Sequence, residues 1–173
     1  MWYVVQVQTG KEDQLIADLS RHCDPGLLKE VFSPTYEVQK HLAGEWRTTQ
    51  QRMFPGYVIV DTKKPESLAR VLRRMSQFAR LLGTDEGFVP LAQQEQRWIA
   101  EFSGAGRRVI QESSGIIVGD EVRVLTGPLV GQEARIKKVN RRKRLAFLEM
   151  DICGRQVNVK VGLSIVKKVE AQD

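Results

Sequence analysis

A dense run of basic residues in the last third of the chain has the clearest chemistry. Its members are Arg135, Lys137, Lys138, Arg141, Arg142, Lys143 and Arg144. Like charges this close repel one another unless a polyanion or counterions neutralise them. Arginine-rich hairpins can follow the phosphates of structured RNA, whose bases are read in loops or bulges. The run therefore predicts an RNA-binding surface, and the alternative is a solubilising loop tip.

A second group of arginines lies on one predicted helix that begins at Pro65. The polar side of that helix, away from its apolar stripe, carries Arg70, Arg73 and Arg74. Arginine binds phosphate in a bidentate manner and stacks on splayed bases, which suits single-stranded DNA. The alternative is an ordinary solvated helix face.

Aromatic residues flank a Pro-Gly pair where an apolar strand begins. Phe54 and Tyr57 stand on either side of it, and Ile59 and Phe78 are predicted to lie nearby. Aromatic side chains in a shallow depression commonly anchor a docked helix, which requires exposed rings. Spacing alone favours the other interpretation, ordinary core packing.

Catalysis has little support in the sequence. Besides serines, the candidate nucleophiles or bases are His22, His41 and Cys23, and no GxSxG, HExxH, P-loop or GxGxxG pattern occurs. Cys23 and Cys153 are far apart and form no CxxC pair, so neither a disulfide nor a zinc site is expected. We expect a protein that is not an enzyme and needs no cofactor or metal.

The positive charge is concentrated near the C-terminus. The net charge is +6, and residues 116–173 carry 12 basic against 7 acidic side chains, whereas residues 1–115 carry 15 against 14. Such a surface favours polyanions, chiefly nucleic acid or an anionic membrane, and the alternative is charge that only confers solubility. No apolar run approaches the roughly 18 residues of a membrane span, and no secretory signal is visible, so we expect a cytoplasmic monomer without membrane contacts.

The first hundred residues alternate between strand and helix patterns. Strand patterns occur near residues 3–8, 30–39, 47–53, 57–60 and 78–82, and helix patterns follow Gly10, Pro65 and Pro90. The predicted fold class is α+β, with an antiparallel sheet and flanking helices over residues 1–102. Residues 103–115 lose periodicity and predict a linker. Short strands over residues 116–173 predict a small all-β barrel, and alternation predicts that Ala146, Leu148, Met150 and Ile152 share one buried face.

Two sets of motifs resemble the NusG family of transcription elongation factors, in the order expected and over essentially the whole chain. The N-terminal set comprises Trp2–Val5, Gly10–Glu12, Phe54–Val60, Phe78–Gly83 and Val89–Leu91. The C-terminal set comprises Val118–Val124, Gly127–Gly131 and Ala134–Ile136 and is similar to the KOW motif. The resemblance implies an NGN-like first domain and an SH3-like KOW barrel.

The resemblance also implies partners for the candidate residues. In this family the first domain binds the clamp helices of RNA polymerase and suppresses pausing, which assigns that role to Phe54, Tyr57, Ile59 and Phe78. Related proteins contact non-template DNA near the helix that carries Arg70, Arg73 and Arg74 in this chain.

One departure from the housekeeping pattern points to a subtype. The loop Gly127–Gly131 is short and contains no aromatic residue, which puts coupling to a ribosomal protein or a termination helicase in doubt. Together with the basic run, it looks like the LoaP-type antiterminators, which are recruited through an RNA hairpin. The alternatives are an RNA-binding or ribosome-associated KOW protein that does not bind polymerase, and an RNA-modifying enzyme, for which no catalytic base is found.

Overall fold

The computed structural model describes residues 1–104, 106 and 108–171. Its helices are α1 Glu12–His22, α2 Pro65–Arg73 and α3 Gln93–Ser103, with a 3-10 turn at Glu133–Arg135. The first eight strands are β1 Trp2–Val7, β2 Glu30–Phe32, β3 Thr35–Leu42, β4 Glu45–Arg52, β5 Tyr57–Asp61, β6 Ala79–Leu81, β7 Gly83–Thr84 and β8 Gly87–Phe88. The remaining strands are β9 Val109–Ile110, β10 Ser113–Val118, β11 Glu121–Thr126, β12 Ile136–Asn140, β13 Leu145–Ile152 and β14 Arg155–Val169. The predicted α+β class is confirmed.

The described residues form two compact units. The first comprises Met1–Pro34, Phe54–Ile99 and Asp151–Gln156. The second comprises Thr35–Met53, Ala100–Met150 and the described residues from Val157 onward. The division at residues 102 and 116 stays a prediction. Residues 105 and 107 of the predicted linker, and residues 172 and 173 of the predicted barrel, lie outside the described residues.

An antiparallel sheet of order β2-β5-β1-β6 organises the first unit. Its central pair places Val5 opposite Val58 and Val4 opposite Ile59. Because successive side chains of a strand point to opposite faces, both faces are apolar at this pair. All four residues are buried. A strand that is buried on both faces is hydrophobic along most of its length, which explains the composition of β1 and β5.

The first two helices pack on one face of this sheet through short apolar stripes. Leu15 and Leu19 of α1 and Leu68 and Leu72 of α2 are almost fully buried in the same cluster as Val5 and Val58. In α2 the first helical residue is Pro65, where the missing N–H breaks no helical hydrogen bond. The periodicity thus predicted the buried side of α2 correctly, and its arginines are exposed.

Two sheets build the second unit. One has the order β11-β10-β14-β13-β12, and the other has the order β4-β3-β9. The predicted inward face of β13 is confirmed, because Ala146, Leu148, Met150 and Ile152 are all buried. The C-terminal part of the described chain is therefore all-β, apart from the 3-10 turn.

The segment predicted to be irregular contains backbone pairing. Val109 and Ile110 lie parallel to Thr35 and Tyr36 of β3, and β10 already begins at Ser113. Ile110 and Ser113 are each 1% exposed. Tertiary pairing fixes these residues, and a two-residue strand is too short to produce a periodic sequence pattern. Helix α3 also begins later than expected, at Gln93 instead of Pro90.

Within the part of the chain that the structure describes, every helix is too short or too polar to cross a membrane.

Candidate functional site

The centre of the basic run is the tight connection between β12 and β13. Because Asn140 pairs with Leu145, the connection consists of the four residues 141–144, which we call the basic turn. The Asn140 side-chain oxygen accepts a hydrogen bond from the Lys143 amide at 3.0 Å. Arg144 closes the turn with a φ of 54°, a left-handed conformation that non-glycine residues seldom adopt. Arg141, Arg142 and Lys143 are exposed, so the turn presents three cations to solvent.

The two lysines of β12 have partners of their own. Lys137 Nζ lies 3.5 Å from a carboxylate oxygen of Glu149, in an exposed pair that contributes little to stability. Lys138 Nζ lies 5.8 Å from the centre of the Phe147 ring, and Lys160 of β14 lies at the same distance from it. Lys138 and Lys160 thus flank one aromatic ring, which links β12, β13 and β14.

Arg135 stands apart from the other basic residues. It ends the 3-10 turn, is half-buried, and its amide bonds to the carbonyl of Gln132 at 2.9 Å. The exposed part of the predicted RNA surface therefore consists of Lys137, Lys138, Arg141, Arg142 and Lys143, whereas Arg135 and Arg144 are half-buried.

The fourth residue of the basic turn stacks on an aromatic ring of the β3–β4 hairpin. The Arg144 guanidinium carbon lies 3.7 Å from the centre of the Trp46 ring. The His41 ring approaches the same tryptophan edge-on, with 5.2 Å between ring centres. Trp46 remains 45% exposed. No local sequence pattern indicates this contact, because Trp46 and the basic turn lie about a hundred residues apart along the chain.

A groove of about 390 Å³ lies beside this stack, entirely within the second unit. Its lining residues are Tyr36, Val38, Gln39, Lys40, His41, Leu42, Trp46, Gln51, Arg142, Lys143, Leu145 and Lys160. Four of these side chains are cationic and, among the described lining residues, none is acidic. The groove therefore combines an aromatic surface with a positive rim, a combination suited to nucleotides.

The three arginines of the α2 region do not converge on one surface. Arg73 lines an open groove of about 610 Å³ in the first unit, together with Arg80 and Arg155. Arg74 lines a different groove beside Asp18, and Arg70 Nη2 lies 3.5 Å from Ser67 Oγ. All three are exposed, as predicted. Arg80 and Arg155 were not among the residues predicted for this surface.

The aromatic patch is smaller than the sequence predicts. Phe54 is 3% exposed, so the expectation of an exposed ring at this position is wrong, and Ile59, predicted to lie nearby, is 2% exposed. Ile59 pairs with Val4 inside the central sheet, which explains its burial. Tyr57 is half-buried, and its amide bonds to the carbonyl of Phe54 at 3.0 Å, so the Pro-Gly turn is tight. Only Tyr57 and the 60% exposed Phe78 offer ring surface from this set.

The two thiols and the candidate metal ligands form no reactive centre in the described residues. Cys23 and Cys153 are free, and burial raises the pKa of both thiols. A raised thiol pKa disfavours the nucleophilic thiolate. No group of three or more His, Cys, Asp or Glu side chains that could hold a metal ion lies among the described residues.

Two parts of the chain match models of known protein families. A family model described as transcription termination factor NusG matches residues 1–100, and a KOW motif model matches residues 118–151. The transcription termination/antitermination protein NusG of Pasteurella multocida is 26% identical over 96% of this chain and 94% of its own length. The corresponding protein of Thermus thermophilus is 27% identical over 96% of this chain and 97% of its own length.

A solved structure agrees with these matches at the level of the fold. The structure, titled as a domain interaction in Thermotoga maritima NusG, has a TM-score of 0.53 and 19% identity. The matched region covers 93% of this chain and 92% of the Thermotoga maritima chain. Since the first family model spans more than half of the sequence and the KOW motif follows it in order, this chain belongs to the NusG family.

Proposed function

We propose that this chain is a bacterial transcription elongation and antitermination factor that is not an enzyme. Its residues 1–102 bind the clamp helices of RNA polymerase and suppress pausing and termination. Residues 103–115 connect this domain to a basic KOW domain, residues 116–173, that contacts structured RNA. The protein acts as a monomer in the cytoplasm, where the polymerase is found. One observation carries the proposal, namely the match of both family regions in order along one chain.

The polymerase contact is proposed for the aromatic surface that remains available. Tyr57 and Phe78 supply ring area, and Phe54 and Ile59 support them from the core. Rigid aromatic anchors backed by a packed sheet are typical of helix-docking surfaces. Buried residues act here by holding the Pro-Gly turn and β5 in place, and not by direct contact.

The nucleic-acid contacts are proposed for two separate surfaces. Arg141, Arg142 and Lys143 follow RNA phosphates from the basic turn, with Arg144, Lys137, Lys138 and Arg135 beside them. Arg73 contacts the displaced DNA strand, and Arg70 and Arg74 add charge on the same helix. An RNA hairpin read by the basic turn fits the LoaP-type mode of recruitment.

Co-purification with polymerase tests this proposal against its alternative. The intact protein is mixed with elongation complexes assembled on a defined template, and bound protein is measured after sedimentation. The proposal is supported if the elongation complexes retain the wild-type protein and if Tyr57→Ala or Phe78→Ala weakens this retention. Stable RNA binding without any retention on polymerase would assign the chain to the second candidate, a KOW protein that binds RNA alone.

A further inference from the structure

The groove beside Trp46 has a defined chemistry that the basic turn alone does not have. Phosphate contacts from exposed cations position RNA but carry no information about unpaired bases. A base is held instead by stacking on an aromatic ring or on a guanidinium plane. The second unit brings both kinds of surface together, because the Arg144 guanidinium stacks on Trp46 at 3.7 Å.

Trp46 keeps solvent-accessible surface although two side chains lie against it. Trp46 is 45% exposed even with Arg144 and His41 against it. By contrast, Trp2 and Trp98 are each 5% exposed. Trp46 lines the groove, whose volume of about 390 Å³ falls within the size range of small-ligand sites.

The charges around the groove match a nucleotide. Lys40 and Lys160 lie on its strands, and Arg142 and Lys143 reach it from the basic turn. Tyr36, which is 5% exposed, lines it as well and adds a phenol hydroxyl to the lining. The groove thus offers a ring for the base, cations for the flanking phosphates and polar groups for the base edge.

We infer that the groove between the β3–β4 hairpin and the basic turn binds one unpaired nucleotide of RNA, with its base stacked on Trp46. This inference rests on the proposed RNA-binding function and names the part of the RNA that the second unit recognises. Cations of the basic turn follow the paired stem, and the Trp46 groove receives a base from the adjoining loop or bulge. The site therefore distinguishes a hairpin with an unpaired base from a continuous duplex.

The test compares two RNAs with the full-length protein at fixed salt. One is a stem closed by a loop of unpaired nucleotides, and the other is a blunt duplex with the same stem. Trp46→Ala is expected to weaken binding to the looped RNA by roughly tenfold or more, as is typical for loss of one base stack. The same variant is expected to leave duplex binding unchanged, and Trp46→Phe is expected to keep most of the affinity.

Arg47→Ala is the matched control on the same hairpin. Arg47 is exposed, pairs with Glu45 at 3.5 Å and is absent from the described lining of the groove. Its removal is expected to change binding of the two RNAs equally. Tryptophan fluorescence gives a second readout, since Trp46 is the exposed tryptophan and a stacked base is expected to quench it.

The outcomes separate this inference from the proposed function. Binding that depends on Arg141 and Arg142 but is unchanged in Trp46→Ala, with no quenching, overturns the inference and leaves the RNA-binding function standing. A Trp46→Ala variant that loses the same affinity for the looped RNA and for the duplex also overturns the inference. If neither RNA binds the wild-type protein, the proposed RNA-binding function fails and the inference fails with it. A single-stranded DNA of the same loop sequence that binds as tightly would overturn the assignment to RNA.

Discussion

Gly162 of β14 lies directly against the backbone carbonyl of Glu37 in β3. A methyl group built on Gly162 would overlap that carbonyl, and it would also approach the Glu112 side chain. Glycine at this position therefore allows β14 and the β3–β4 hairpin to pack at backbone contact. The hairpin that carries Trp46 is held in part by this contact within the second unit.

Gly162→Ala is expected to lower the free energy of unfolding by about 1–3 kcal/mol, as is usual when a packed interior must accept an extra methyl group. Urea unfolding followed by circular dichroism measures the change. Gly26→Ala is the control, because its added methyl meets only the Asp24 side chain at 3.2 Å. Equal stability of Gly162→Ala and the wild type would contradict the close approach.

Phe54→Ala should destabilise the fold, in contrast to substitution of an exposed anchor. Phe54 is 3% exposed, and truncation of a buried phenylalanine typically costs about 3–5 kcal/mol. Thermal unfolding measures the loss. A variant that keeps the wild-type melting temperature would show that the ring is dispensable to the core.

Phe78→Ala should separate polymerase binding from stability. Phe78 is 60% exposed, so its removal is expected to change the free energy of unfolding by less than about 0.5 kcal/mol. Affinity for the elongation complex should fall by roughly tenfold, the size expected for an aromatic anchor. Leu125→Ala, at a 56% exposed residue of β11, is the control and should leave that affinity unchanged. Wild-type affinity in the Phe78 variant would remove this residue from the interface.

The salt dependence of RNA binding should reflect the number of phosphates that the basic turn contacts. For about four contacts, log affinity against log salt has a slope of roughly −3 to −4. Combined Arg141→Ala and Arg142→Ala substitutions should reduce the magnitude of that slope by about 2. Lys63→Ala with Lys64→Ala, which removes two exposed charges from the first unit, is the control and should keep the wild-type slope. A double arginine variant with an unchanged slope would exclude the turn as the phosphate contact.

Alkaline pH should destabilise the protein through its buried tyrosines. Burial raises the pKa of Tyr36 above its ordinary value of 10.0, and burial together with the Glu66 carboxylate raises that of Tyr3. The folded state therefore keeps these protons at pH values where the unfolded state loses them. Stability is fully present below about pH 10 and falls as the pH rises above it. Urea midpoints measured on both sides of this pH should fall less in Tyr36→Phe than in the wild type, and an equal fall would contradict this.

Local sequence patterns predicted the elements that depend on local physics. The stripe of Leu68 and Leu72, with Pro65 at the helix start, was sufficient to place α2 and its exposed arginines. Alternation along β13 predicted its buried face in the same way. In both cases the periodicity of one element decides which side faces the core.

Features that depend on distant pairing were not predictable in this way. Burial of Ile59 follows from its pairing with Val4 in the central sheet, and a family resemblance does not distinguish an exposed anchor from a buried residue such as Phe54. The Trp46–Arg144 stack joins residues about a hundred positions apart. Short strands such as β9 arise from pairing with β3, so no periodic pattern marks them.

Antitermination by this protein is tested most directly by transcription past a terminator. RNA polymerase and the purified protein are used, with or without an upstream leader hairpin. The protein is expected to increase read-through, the leader to strengthen the effect, and rising salt to weaken the part that depends on the leader. Phe78→Ala should reduce read-through with either template, whereas substitution of Arg141 and Arg142 should remove only the effect of the leader. Unchanged pausing and termination on both templates at every salt concentration would show that the protein is not an elongation and antitermination factor.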